Sequence, residues 1–102
     1  AKCVHGPHVS KHFSYECETI AINRTIQELE AQGINIIILL GHSGYEEYDL
    51  QLAKKFPGID VVVGGHSHTF LWSGALGRTL SDSEEIIMAP YPKEVINDIT
   101  GK

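Results

Sequence analysis

Long hydrophobic runs are missing from this chain. Its longest strictly apolar stretch, Ile36 to Leu40, is far below the ~20 residues that a bilayer-spanning helix needs. A charged start followed by an apolar core is missing as well, so the first residues show no secretory signal. Basic residues are scarce, with 8 Lys and Arg against 13 Asp and Glu and a formal net charge of -5 with histidine neutral. A binder of the phosphate backbone needs clustered cations to release counterions, so a nucleic-acid polymer is excluded as a partner. A small anionic substrate stays open, because a bound metal would invert the local charge. Cysteine is sparse too. Cys3 and Cys17 fit either a pair formed in an oxidising compartment or two separate thiols.

What is there suits one α/β domain. The 102 residues are 42% hydrophobic, enough for a single core at ordinary domain size. The chain opens on Ala1 and stops at Gly101-Lys102 with no closing element, which reads as a piece of a longer polypeptide. Residues 1–15 carry no periodicity and read as an irregular segment. His5, His8 and His12 lie there with Cys3, at spacings that match no zinc motif.

From Glu16 to Gln32 the spacing of Ile22, Ile26 and Leu29 predicts a helix, with Gly33 placed as a left-handed C-terminal cap. Ile34 to Leu40 reads as a parallel strand covered on both faces. Tyr48, Leu52 and Phe56 form one stripe of a second helix, Glu46 to Phe56. Pro57-Gly58 ends it, and Ile59 to Val63 is the next strand. Strand, helix and strand in this order make a βαβ unit, flanked by the first helix. Phe70-Leu71-Trp72 reads as a short buried turn and Gly74 to Glu85 as an exposed loop. Ile86-Ile87-Met88 and Glu94-Val95-Ile96 are candidate short strands around the Pro90-Tyr91-Pro92 turn.

Both long strands end in histidine. His42 sits in Gly41-His42-Ser43-Gly44, and His66 and His68 in Gly64-Gly65-His66-Ser67-His68-Thr69. Open α/β sheets bind ligands in the crevice beyond the carboxyl ends of their strands, and imidazole is the commonest metal ligand. A lone histidine in a loop is usually just hydrogen-bonded; three beyond strand ends, each beside glycine, point to a metal site. In an extended segment His66 and His68 project to one side and reach one metal centre or two adjacent ones. Ser43 and Ser67 read as local hydrogen bonders, since no acid-base partner for a serine nucleophile is apparent. Asp60 lies at the wrong end of its strand and reads as structural. Tyr45, Phe70 and Trp72 read as core or pocket wall.

The stretch from about Ile34 to Gly74 resembles the calcineurin-like metallophosphoesterases, specifically the 5′-nucleotidase and apyrase family. The Gly41–Gly44 motif carries the likeness, as does the run from Gly58 through the Gly64–Thr69 motif to Phe70-Leu71. Ser73-Gly74 and Pro90-Tyr91-Pro92 add to it, while residues 1–15 show none. The resemblance implies a layered sandwich domain of which residues 16–102 are the later part. It implies two divalent metals, commonly zinc, with His42 and His66 on one and His68 on the other. The implied reaction is hydrolysis of nucleoside 5′-phosphates, AMP for a nucleotidase or ATP and ADP for an apyrase, by metal-activated water. A secreted or cell-surface location is implied too, with any membrane anchor outside these residues. Asn23-Arg24-Thr25, a glycosylation acceptor pattern inside an expected helix, leans weakly the same way.

The family's early motifs, Asp-x-His, a bridging Asp and Asn-His-Glu, do not occur in these 102 residues, nor does its nucleoside-gripping domain. Three neutral imidazoles leave the mutual repulsion of two dications uncompensated, so this chain alone is expected to be inactive. The alternative is a small non-catalytic module that binds metal through the three histidines. In either case two strands and two helices leave one sheet edge and one helical face bare, and a bare edge invites aggregation.

Overall fold

A computed structural model describes residues 16–74 and 86–102. The expectations for residues 1–15, for Cys3 and for the loop over residues 75–85 lie outside the described residues. The rest is a mixed α/β arrangement: α1 (Glu18–Ala31), β1 (Ile38–Leu40), α2 (Leu50–Lys55), β2 (Val61–Val63), β3 (Phe70–Leu71) and β4 (Ile87–Ala89). No helix among the described residues is long and apolar enough to cross a membrane.

Helix α1 stops where glycine allows it to. Gly33 takes φ +79°, a region that costs a residue without Cβ almost nothing. Its N–H donates to Glu30 O at 2.9 Å, and the Ile34 N–H reaches back to Leu29 O at 3.1 Å. These are the two hydrogen bonds of a Schellman cap, which satisfies the last helical carbonyls. Cys17 stands at the other end without a side-chain cap and is disulfide-bonded.

The βαβ unit forms as expected. β1 and β2 pair in parallel, with Ile38 opposite Val61, Leu39 opposite Val62 and Leu40 opposite Val63. Asp60 clasps the start of the ladder: its N–H donates to Ile37 O at 3.0 Å, and its Oδ2 accepts the Ile37 N–H at 2.8 Å. That is the structural role its position suggested.

Three expectations need correction. The first strand is shorter than Ile34–Leu40, because β2 offers partners only from Asp60 onward. Phe70-Leu71 is a strand rather than a turn, paired in parallel with β4 through an irregular register. Glu94–Ile96 is not a strand; instead, the tail that follows it caps α2. Asn97 is buried; its Nδ2 donates to Ala53 O at 3.0 Å, and the Asp98 N–H donates to Lys54 O at 3.0 Å. Those are carbonyls that the helix end leaves without intrahelical partners.

Ile26, Ile37 and Leu52 form the buried apolar core, on one side of the sheet. The expectation of strands covered on both faces also fails for these residues. Side chains alternate along each strand, and Ile38, Leu40, Val61 and Val63 are 61%, 78%, 47% and 47% exposed. One whole sheet face is apolar and bare.

Candidate metal centre

The register of β1 and β2 brings their carboxyl ends to the same edge of the sheet, and with them the two histidine motifs. His42 and His66 meet there. Their ring centroids are 5.3 Å apart and their planes are inclined at 74°, edge to face. The approach depends on Gly65, where a Cβ would lie 2.6 Å from His42 Nδ1. Gly44 is buried with φ 110° and ψ 143°, backbone that an L side chain seldom adopts, and any Cβ there would already touch the His66 ring at 4.0 Å.

The Gly64–Thr69 motif is not extended. His66 and His68 both have positive φ, 79° and 51°, and the Ser67 N–H turns back to Gly65 O at 3.1 Å. The alternation argument that placed both rings on one side therefore does not apply. What puts His66 against His42 is a tight turn. Left-handed backbone at residues other than glycine is uncommon and gathers at functional sites, held there by surrounding structure.

Hydrogen bonds supply that hold. The Tyr45 N–H donates to Ser67 Oγ at 3.0 Å, and Ser67 Oγ is 2.8 Å from Thr69 Oγ1. The Ser43 hydroxyl donates to Glu18 Oε1 at 3.0 Å. Both serines are thus local hydrogen bonders, as expected from the sequence. Gly44 O accepts from both the Tyr48 and Asp49 N–H groups, at 3.2 and 2.9 Å. The segment Tyr45–Asp49 is therefore a π-helical turn leading into α2, a variant common at functional sites.

An open cleft of about 640 Å³ lies beside the His66–Thr69 turn. Gly44 to Glu47 line one side, His66 to Thr69 the other, and Phe70, Ile86 and Met88 add an apolar wall. Tyr45 and Phe70 are pocket wall, as expected; Trp72 stacks on Phe70 with centroids 6.4 Å apart and remains 37% exposed. His68 lines this cleft beside His66. Among the described residues no group of three or more His, Cys, Asp or Glu converges as a metal cluster. The imidazoles that meet are those of His42 and His66.

The sequence signalled the histidines through their glycines and put Asp49 near the site in sequence, without assigning it a contact there. Its carboxylate lies against Gly64, where a Cβ would overlap Oδ2 and fall 2.6 Å from Cγ. Burial, and then the charge of Glu18, hold the Asp49 carboxyl above its ordinary pKa. The doubled glycine at 64 and 65 was the available signal: two adjacent residues without side chains imply two close approaches.

Comparison with known proteins agrees with the resemblance seen in the motifs. No family model matches the chain. It is 42% identical over 87 residues to the 5′-nucleotidase of Diplobatis ommata, 85% of this chain and 14% of that protein. The 5′-nucleotidase of Bos taurus is 42% identical over 84 residues, 82% of this chain and 14% of the relative. The snake venom 5′-nucleotidase of Naja atra is 37% identical over 87 residues, 85% of this chain and 15% of the relative. A match of 87 residues in a chain of 102 takes in both histidine motifs. Over most of its length, then, the chain is homologous to one segment of the 5′-nucleotidases, spanning about 14% of their length.

Proposed function

We propose that these residues are part of a longer, metal-dependent phosphohydrolase of 5′-nucleotidase type, which releases phosphate from nucleoside 5′-phosphates. In this reading His42 and His66 are ligands of one divalent ion and His68 serves a second. The observation that carries it is the edge-to-face pair of imidazoles at 5.3 Å, brought from two strand ends inside a segment homologous to nucleotidases. Neutral imidazole suits zinc, and a pair this close fits two positions of one coordination sphere. The remaining ligands come from outside the described residues, in keeping with the small share of its relatives that the chain spans.

Charge supports the same reading. Among the described residues the cleft is lined by Glu46 and Glu47 and by no Lys or Arg, so these residues offer an anionic substrate no positive charge of their own. Divalent metal bound by these histidines would supply the positive charge for an anionic phosphate and would lower the pKa of water at neutral pH. The chain's own share is to bind and orient. His42 and His66 hold the ion at the sheet edge, and Gly65 keeps clear the space that their approach occupies. Tyr45 and Ser67 fix the turn that carries His66. Phe70 and Met88 give the cleft its apolar wall beside His66 and His68. The venom relative and the disulfide at Cys17 favour an oxidising, extracellular setting.

The test uses the full polypeptide that carries this segment. His42→Ala and His66→Ala should each cut zinc-dependent AMP hydrolysis about 100-fold or more, since losing even an outer-sphere partner of a ligand costs 10- to 100-fold. Unchanged rates in both would refute the assignment. The 102-residue chain alone should release no phosphate from AMP, and metal-dependent turnover by it would refute that part.

A further inference from the structure

The contact between Asp49 and Gly64 lies beside the histidine pair without belonging to it. Gly64 opens the turn that continues through Gly65 to His66, and a Cβ at Gly64 would collide with Oδ2 and Cγ of Asp49. No described residue donates a hydrogen bond to that carboxylate, so its contribution there is bulk placed against the glycine backbone. Asp49 is itself fixed at the end of the π-helical turn, its N–H donating to Gly44 O at 2.9 Å. Tyr45, at the start of the same turn, holds Ser67 on the far side of His66. The one short turn Tyr45–Asp49 therefore grips the His66 turn at two points, by a hydrogen bond after the histidine and by close packing before it.

We infer that Asp49 is a positioning residue whose carboxylate seats the Gly64–Gly65 backbone and so sets His66 beside His42. The inference rests on the reading of those histidines as metal ligands. Removing the side chain frees the backbone to drift from its seat, and adding a methyl at Gly64 drives it off. The two changes act on the same space, so together they should compensate. A residue that merely stabilised the fold would give losses that add.

The experiment measures zinc affinity by competition with a chelating dye, in the full polypeptide, alongside the melting temperature of the metal-free form. Gly64→Ala should weaken zinc binding about 10-fold or more, in the range seen for groups that orient metal ligands. In the Asp49→Ala background the same glycine change should cost less than about 3-fold. Asp49→Asn keeps the shape and should bind zinc within about 2-fold of the natural protein. For AMP hydrolysis, the Gly64→Ala loss should appear in kcat rather than KM. Losses that multiply in the double variant, or an Asp49→Asn loss as large as that of Gly64→Ala, would overturn the positioning role and leave the metal assignment standing. A natural protein that binds no zinc would overturn both.

Discussion

At the residue scale, the histidines were legible and their geometry was not. Composition and order placed His42, His66 and His68 past strand ends, but the period-2 argument for His66 and His68 failed. Positive φ at both residues is a property of the turn, enforced by Tyr45 and Asp49 from a distant part of the sequence. No local pattern announces it. Gly65 carries the clearest consequence. Alanine there would put a Cβ 2.6 Å from His42 Nδ1, and zinc affinity should fall about 10-fold with little change in the fold's circular dichroism; undiminished affinity would mean that the ring has room to move. Asp49 also predicts a pH effect. Its folded-state pKa is raised by burial and by Glu18. The stability it contributes is therefore full below its unfolded value, about 3.9, and is lost as pH rises through the higher folded value. At pH 7 the metal-free Asp49→Asn variant should melt above the natural protein, with an advantage that shrinks on acidification toward pH 4. An advantage that grows as pH falls would contradict the sign.

At the scale of elements, the sequence specified what depends on local chemistry. The helix ending at Gly33, the break at Pro57-Gly58 and the parallel βαβ order are all present in the structure. Strand extent was not legible, because a strand ends where its partner ends and not where its own apolar run stops. Hence Ile34 to Ile37 stay outside β1, and Phe70-Leu71 becomes a strand through pairing with β4. The tail was misread for a related reason: Asn97 works by accepting from the Ile99 and Thr100 N–H groups at 3.0 and 3.1 Å while donating to α2. Asn97→Ala removes those hydrogen bonds and should cost about 0.5–1.5 kcal/mol, read as a fall in denaturation midpoint. Zinc affinity should stay unchanged in the folded protein, because Asn97 touches the far end of α2 from the histidines. A midpoint within error of the natural protein would remove the capping role.

At the scale of the whole molecule, the exposed Ile38, Leu40, Val61 and Val63 form a contiguous apolar face of a kind that soluble monomers seldom leave open. The continuous apolar runs of the two strands pointed to cover on both sides, and these residues supply it on one. In the reading proposed above, a second layer from the longer polypeptide covers this face. The variant Ile38→Lys separates the two situations. It should lower self-association of the isolated 102-residue chain in light scattering, yet destabilise the full polypeptide by about 3 kcal/mol through an unpaired buried charge. Equal behaviour in both would mean that nothing covers this face. The central claim, that His42 and His66 share one ion, is tested most directly by X-ray absorption spectroscopy of the zinc-loaded full polypeptide. Imidazole scattering at zinc–nitrogen distances of about 2.0–2.1 Å is expected, with one imidazole fewer in His42→Ala and one fewer in His66→Ala. Zinc spectra identical in all three proteins would contradict it.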